Sequence, residues 1–339
     1  MDKQEELGRP LIVSASRTRD MVHRCPDLLA RILAGDAPCR FGPHGQETRL
    51  APERIHSVVL WTKDLANLLE HAELRRTLQA LIERHRVQIS LGLTITGLGG
   101  TFLEPGIPHW RTALADLRAL LAQGWIDPRA VIYRYDPFLA VRTPDGHLFT
   151  NASLRAFVAV CTPVLQLGVK RVTTSRGDAL RYPKVARRVA SVGLAWLPIE
   201  DAAAVAFCRQ VDTHCRSRGA DFSVCCEPFA SGLLDNWGCI DGHWLNALKG
   251  PDSEAATIVP HNRIGSQRAA CRCTYSRDIG YSTGSRTCFS GGYGCLYCFA
   301  QTQAGLPGAE ELRAEIAAYD QDPEGYCRER DLPDLTHMS

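Results

Sequence analysis

"SVVLWTKDLANLLEHAELRRTLQALIERHRVQISLGLTIT", residues 57 to 96, sets two apolar runs on either side of one amphipathic run. The outer runs, 57 to 62 and 87 to 96, are rich in β-branched residues and mostly apolar, as strands covered on both faces must be. Between them, residues 64 to 85 carry leucines at helical spacing, with Asp64 positioned to cap the first turn. Strand, helix and strand in so short a stretch make one βα unit with its crossover, the repeating block of a parallel sheet.

Working outward, the pattern recurs. "LIVSAS" (11 to 16), "AVIYRY" (130 to 135), "VKRVTT" (169 to 174) and "DFSVCCE" (221 to 227) read as four more strands, and 109 to 123, 151 to 167 and 201 to 218 as helices. Gly124, Gly168 and Gly219 each stand just past a helical run, where a left-handed C-cap favours glycine. The expected fold is α/β, a partial or complete (β/α) barrel of parallel strands with a C-terminal cysteine-rich extension; an open doubly wound sheet fits the same periodicity. Beyond Glu227, residues 228 to 250 contain one short helix capped by Asp241, and 251 to 270 are loop-like. A last helix is expected at 309 to 319, followed by a polar tail outside the packed core. The chain thus divides into a polar N-terminal tail (1–10), a barrel domain (11–228), a cysteine-rich metal-cluster extension (229–305) and a C-terminal helix and tail (306–339).

With 339 residues, 45% of them apolar, the chain can bury a large core. Its formal net charge of +2 gives no field that argues for nucleic acid or an acidic membrane. The opening "MDKQEELGRP" is polar and no apolar run reaches membrane-spanning length, so a cytoplasmic protein is expected. In that reducing compartment its fourteen cysteines are better read as metal ligands or redox groups than as disulfides. No P-loop, G-x-S-x-G, dinucleotide fingerprint or H-E-x-x-H pattern is present, which leaves nucleotide hydrolysis, serine hydrolysis, nicotinamide chemistry and zinc proteolysis without a motif.

Five of those cysteines crowd into "CRCTYSRDIGYSTGSRTCFSGGYGCLYCFA", residues 271 to 300. Cys295 and Cys298 form C-x-x-C, with Cys288 seven residues earlier across a glycine-rich spacer, while Cys271, Cys273, Cys226 and Cys239 supply four more thiols. Seven is too many for one zinc. The natural division gives Cys288, Cys295 and Cys298 to a centre with one open coordination position, and Cys226, Cys239, Cys271 and Cys273 to a closed centre that is structural or electron-transferring. Structural zinc at one or both is the bland alternative. Cys225 points away from Cys226 if the strand persists, and the remaining cysteines read as packing. Polar residues gather at the expected C-terminal strand ends, where ligands of parallel sheets bind: Arg17, Arg19, Asp20, Lys63, Thr96, Arg134, Asp136, Arg176, Asp178 and Glu227. Of these, Arg17, Lys63, Thr96, Arg134, Asp136 and Glu227 are the cofactor-binding candidates; none is singled out as catalytic.

The segments "SASRTRD" (14 to 20), "LWTKD" (60 to 64), "TITGLG" (94 to 99), "YRYDP" (133 to 137), "CEP" (226 to 228), "GCID" (238 to 241) and the cysteine loop ending "GCLYCFA" together resemble the bacterial family carrying domain of unknown function 1848. That family's cysteine loop looks like the C-x-x-x-C-x-aromatic-C signature of radical S-adenosylmethionine enzymes, with Tyr297 as the aromatic. The resemblance implies a 4Fe-4S cluster (one or two in the chain), S-adenosylmethionine, and an electron donor such as flavodoxin or ferredoxin. It implies a 5′-deoxyadenosyl radical acting on an unknown substrate. The alternative is a non-enzymatic zinc- or iron-sulfur-binding protein whose cysteine segment clamps a ligand-binding barrel. Here the first spacer has six residues instead of three, and the loop follows the sixth strand instead of the first, so it must fold back over the mouth. "TGLGG" (96 to 100) is the candidate for the glycine-rich motif that holds the methionine amino group.

Overall fold

All six expected strands form, and a seventh joins them. The structure, a computed structural model, describes residues 10–41, 45–179, 181–260, 268–284, 288, 294–300 and 308–338. Strands β1 (Leu11–Ala15), β2 (Ile55–Thr62), β3 (Gln88–Thr94), β4 (Val131–Phe138), β5 (Arg171–Arg176) and β6 (Asp221–Val224) pair in parallel, and β7 (Arg277–Asp278) adds to the free side of β1. Their order across the sheet is β6-β5-β4-β3-β2-β1-β7. A doubly wound sheet reverses its strand order at a switch point. From β1 to β6 this sheet runs in one direction with no such switch, and only the two-residue β7 lies on the far side of β1, so the doubly wound alternative falls. No pairing joins β6 to β7 among the described residues.

The helices between the strands are α1 (Met21–Arg24), α2 (Pro26–Leu33), α3 (Ala66–Glu70), α4 (Ala72–His85), α5 (Trp110–Ala122), α6 (Leu154–Gln166), α7 (Pro183–Ser191) and α8 (Asp201–Arg216). They lie on one side of the sheet, except α7, which belongs to a second core. Alternate strand residues, among them Val13, Val58, Leu60, Leu91 and Tyr133, share one core with Leu29, Leu78, Leu117, Phe157 and Phe207 of these helices. Right-handed crossovers that step in one direction from β1 to β6 return α2, α4, α5, α6 and α8 to the same face. The amphipathic run at 64 to 85 is broken at His71, whose ring accepts from the Leu74 amide and caps α4, while α3 starts after Leu65 and the Asp64 carboxylate accepts the Ala66 amide at 3.0 Å.

The other face must be covered too, and the cysteine-rich segment covers it. Ile12, Val59 and Trp61 pack against Ile240, against Leu245 of α9 (Gly242–Lys249), and against Cys226, Cys239, Cys271 and Cys273. Trp61 lies against the bare backbone of Gly92, where a Cβ would come within 2.7 Å of the indole. Cys226, Cys239, Cys271 and Cys273 thus pack on the sheet face opposite the helices.

A second core sits beside the strand ends. It joins an antiparallel ribbon (Ala140–Arg142, Leu148–Thr150 and Ala195–Leu197) to α7, α10 (Ala309–Gln321) and α11 (Pro323–Glu329), around Phe102, Phe149, Tyr319 and Tyr326. The expected polar tail is a correction: it forms α11, and Leu335 is fully buried, with its carbonyl accepting the Thr150 amide at 2.8 Å. Polar composition there conceals three apolar anchors, Tyr326, Cys327 and Leu335. No helix among the described residues is long and apolar enough to cross a membrane.

Candidate functional site

Lys63 leaves the end of β2 and Thr96 follows β3, so both reach the C-terminal edge of the sheet. There they meet Glu104, which sequence reasoning missed. Glu104 is 1% exposed, and one of its oxygens takes Lys63 Nζ at 2.8 Å, Thr96 Oγ1 at 2.8 Å and the Tyr297 hydroxyl. Burial pulls the Lys63 ammonium down, but Glu104 and then Cys295 outweigh it, and the pKa rises. The signal for Glu104 was faint: a single carboxylate in the otherwise apolar run "GLGGTFLEPG".

The cysteine loop does fold back over these strand ends. Cys288 Sγ accepts the Asp20 amide at 3.4 Å, just beyond β1. Cys295 and Cys298 close a tight turn, with the Cys298 amide 2.9 Å from the Cys295 carbonyl. Leu296 bonds the Leu103 carbonyl at 2.8 Å, and buried Arg188 of α7 donates to the carbonyls of Leu296 (3.1 Å) and Cys298 (2.9 Å). Tyr182 stacks on Phe299 at 5.4 Å between ring centroids. Desolvation pushes the Cys288 thiol up to about 12, with Asp20 and Cys298 adding to it. Cys295 is driven well above the usual thiol range, first by desolvation and then, against the pull of Lys63, by Glu104, Cys298 and Cys288. The three sulfurs are thus near enough to feel one another's charge. The spacer residues 289–293 lie outside the described residues.

The other thiols meet inside the sheet. β6 ends at Val224, and Cys226 takes a left-handed φ of 62°, which non-glycine residues rarely hold. Cys225 and Cys226 therefore do not alternate across a strand, and both enter one group. Cys239 Sγ lies 3.1 Å from Cys225 Sγ, and hydrogen bonding runs on from Cys225 to Cys226, Cys271, Cys273 and back to Cys239. Gly238 permits the closure: a Cβ there would come within 2.7 Å of the Arg272 carbonyl carbon. Its neighbours Cys225 and Cys271 pull the Cys226 thiol down to about 3, and Cys239 and Cys271 hold Cys273 well below the usual range. Cys225 and Cys271 are pushed up by their bonds to Cys226; Cys239 is drawn down by Cys225 but lifted to about 12 by Cys273 and burial. Cations surround the group, Arg268 near Cys226, Arg17 near Cys273 and Arg134 near Cys239.

The expected mouth therefore divides. Lys63 and Thr96 belong with Cys288, Cys295 and Cys298. Arg17, Arg134, Asp136 and Glu227 lie toward the thiol ring: Arg134 pairs with Asp136 and stacks over Trp61 at 4.9 Å, Asp136 also takes the Ser175 hydroxyl, and burial lifts Glu227 to about 7 against the pull of Arg268 and Arg176. Arg17 is tied to Ser276 at 2.8 Å and to Asp278. Arg19 bonds Thr283 and Gly284, Arg176 pairs with Asp201 at 2.7 Å, and Asp178 caps Arg181. Within "TGLGG", a Cβ at Gly99 would strike the Pro108 carbonyl oxygen at 2.0 Å, while Gly97 and Gly100 hold positive φ and Gly100 has open space beside it. Among the described residues, no three His, Cys, Asp or Glu side chains stand around a common point as metal ligands would.

No curated protein matches the chain. A family model, described as "Domain of unknown function (DUF1848)", matches residues 12–300, which takes in the whole sheet, the thiol ring and the cysteine loop. The chain belongs to the DUF1848 family.

Proposed function

We propose that the chain is an iron-sulfur enzyme of radical S-adenosylmethionine type, built on an incomplete (β/α) barrel. One observation carries the reading: the loop that carries Cys288, Cys295 and Cys298 packs against Asp20, Lys63 and Glu104 at the C-terminal edge of the parallel sheet. That edge is where such sheets bind ligands. Cys288, Cys295 and Cys298 would supply the three thiolates of such a cluster, Cys288 and Cys295 each lying near enough to Cys298 to feel its charge. Bound there, a 4Fe-4S cluster would supply one electron to S-adenosylmethionine and yield a 5′-deoxyadenosyl radical for an unknown substrate.

The chain's own residues would do the rest. Arg188 and the Leu103 carbonyl fix the Cys295–Cys298 turn, and the Asp20 amide, donating to Cys288 Sγ, favours a thiolate there. Lys63 reaches the loop with its Nζ 3.2 Å from the Tyr297 hydroxyl and would meet a carboxylate, with Thr96 and Glu104 orienting it. Arg17, Arg134, Asp136 and Glu227 extend the polar edge over β1, β4 and the end of β6, where the substrate would lie. An electron donor such as flavodoxin or ferredoxin would be the partner.

A second reading, a non-enzymatic zinc or iron-sulfur clamp, draws on the burial of the thiol ring in the core, where a metal would serve structure alone. Protein purified without oxygen should contain iron and acid-labile sulfide and form 5′-deoxyadenosine with dithionite, and Cys298→Ala should abolish that product. Stoichiometric zinc with no cleavage would replace the enzyme by the clamp.

A further inference from the structure

We infer that Cys225 and Cys239 are a redox pair, open in the reduced chain and closed to a disulfide by exchange with a small-molecule disulfide, and that closure staples residues 226–238 at the end of β6. The pair needs no metal and none of Cys288, Cys295 and Cys298.

Position carries the inference. The two sulfurs lie 3.1 Å apart. A disulfide bond is about 2.05 Å long, so closure draws them together by about 1 Å, within the reach of side-chain rotation. The backbone already holds both residues in place. The Cys225 amide bonds the Thr174 carbonyl at 2.8 Å, the Val224 amide bonds the Asp235 carbonyl at 3.0 Å, and the Trp237 amide donates to Ser223 Oγ at 3.2 Å. These bonds lay residues 235–239 alongside the end of β6. On the far side, the Thr274 amide bonds the Ile240 carbonyl at 2.7 Å, and Gly238, at a φ of 77°, presses on the Arg272–Cys273 peptide. Separating Cys225 from Cys239 breaks these contacts.

Access assigns the roles. Cys225 is half-buried, whereas Cys226, Cys239, Cys271 and Cys273 are at most 5% exposed. Cys225 is therefore the sulfur that an incoming disulfide meets. Cys225 Sγ attacks one sulfur of the oxidant and forms a mixed disulfide, releasing one small thiol; Cys239 Sγ then attacks Cys225 Sγ, breaks the mixed bond and releases the second. Two electrons pass from the pair to the oxidant, and the two cysteine protons leave on the two released thiols. Hydrogen bonding to Cys226 holds the Cys225 proton in place, so exchange is slow, and the pair follows the poise of a thiol pool instead of turning over as a catalyst. Closure is felt at the polar edge: turning Cys239 Sγ onto Cys225 takes it from Cys273 and from Arg134, the partner of Asp136.

The test is independent of activity. Full-length reduced protein is equilibrated without oxygen in mixtures of oxidised and reduced glutathione, quenched in acid, alkylated, cleaved at acidic residues and mapped by mass; Glu227 and Asp235 lie between the two cysteines. Two alkylatable thiols per chain should disappear, a Cys225–Cys239 link should appear, and excess dithiothreitol should reverse it. The potential of the link should be lower by about 30 mV or more in the folded chain than in the same chain in urea, which is about tenfold in the equilibrium constant. Hydrogen exchange within 226–238 should slow on oxidation. Cys226→Ser should keep the link, and Cys239→Ser should stop at a glutathione adduct on Cys225. If neither variant folds, the wild-type map and its urea comparison decide. Three results would overturn the assignment: a link between any other pair, a glutathione adduct on Cys225 that wild-type Cys239 leaves unresolved, or equal potentials in the folded and urea-unfolded chains.

Discussion

At the scale of single residues, buried charge decides which side chains matter. Glu104 and Lys63 form a nearly dry ion pair, at 1% and 15% side-chain exposure, closed by Thr96 and Tyr297. Removing one partner strands the other, which costs about 3–5 kcal/mol, while an uncharged pair of similar shape can be nearly neutral. Glu104→Gln and Lys63→Met should therefore each lower stability toward urea by that order, and the double variant should lose less than the sum of the two. Additive losses would mean the pair is not coupled. His56 makes the opposite case, a buried base kept neutral. Its ring is held down to about 4 by burial and by Lys249, with Nε2 unpartnered among the described residues. The folded chain thus binds that proton less readily than the unfolded chain, and stability present above the unfolded value of about 6.5 drains away as pH falls, levelling below about 4. The loss should approach roughly 3 kcal/mol. In His56→Gln the stability difference from wild type should shrink by about that much between about pH 7 and about pH 4, and a constant difference would refute the assignment.

At the scale of elements, β7 shows how two residues can anchor a segment. Arg277 and Asp278 pair with Val13 and Ser14, and the Asp278 carboxylate takes Ser14 Oγ (2.9 Å), Ser16 Oγ (2.7 Å), the Arg17 amide (2.8 Å) and the Gly280 amide (3.0 Å). Asp278→Ala orphans four donors and should cost about 3 kcal/mol or more. Hydrogen exchange should quicken in residues 11–17 and 276–284 before it does in β3 and β4, and uniform quickening would show that β7 is no local anchor. Elements with many repeated signals were legible in the sequence. Six strands, the helices behind them and the glycines at 124, 168 and 219, each at positive φ, follow from periodicity and backbone sterics. β7 was not, because two residues carry no period, and Cys225 was misdirected because alternation assumes a strand that had ended at Val224. The cysteines of the site could be picked out by spacing. Glu104 could not, since its meaning comes only from Lys63 and Tyr297, which arrive from elsewhere in the chain.

At the scale of the whole molecule, three cores divide the labour, and the cysteine loop stands on the one that sequence explained least. The sheet and its helices form the first core and the thiol ring the third, whereas Leu296 and Tyr297 of the loop rest on the second, with Phe102, Leu103 and the C-terminal helices. Chain ends are often dispensable. Here Leu312, Ile316, Tyr319 and Tyr326 are all buried in that second core, and burying each such side chain contributes about 1.5–3 kcal/mol. Deleting residues 309–339 should therefore cost on the order of 5 kcal/mol or more, and the damage should be selective. Protection from hydrogen exchange should vanish at 98–104 and 294–300, where the floor beneath the Cys295–Cys298 turn is lost. It should persist at 58–61 and 238–245, because those residues pack in the first and third cores, which do not include the C-terminal helices. A truncated chain that keeps its protection at 294–300 would mean that Arg188 alone seats the loop; one that loses protection everywhere would mean that the three cores fold as one.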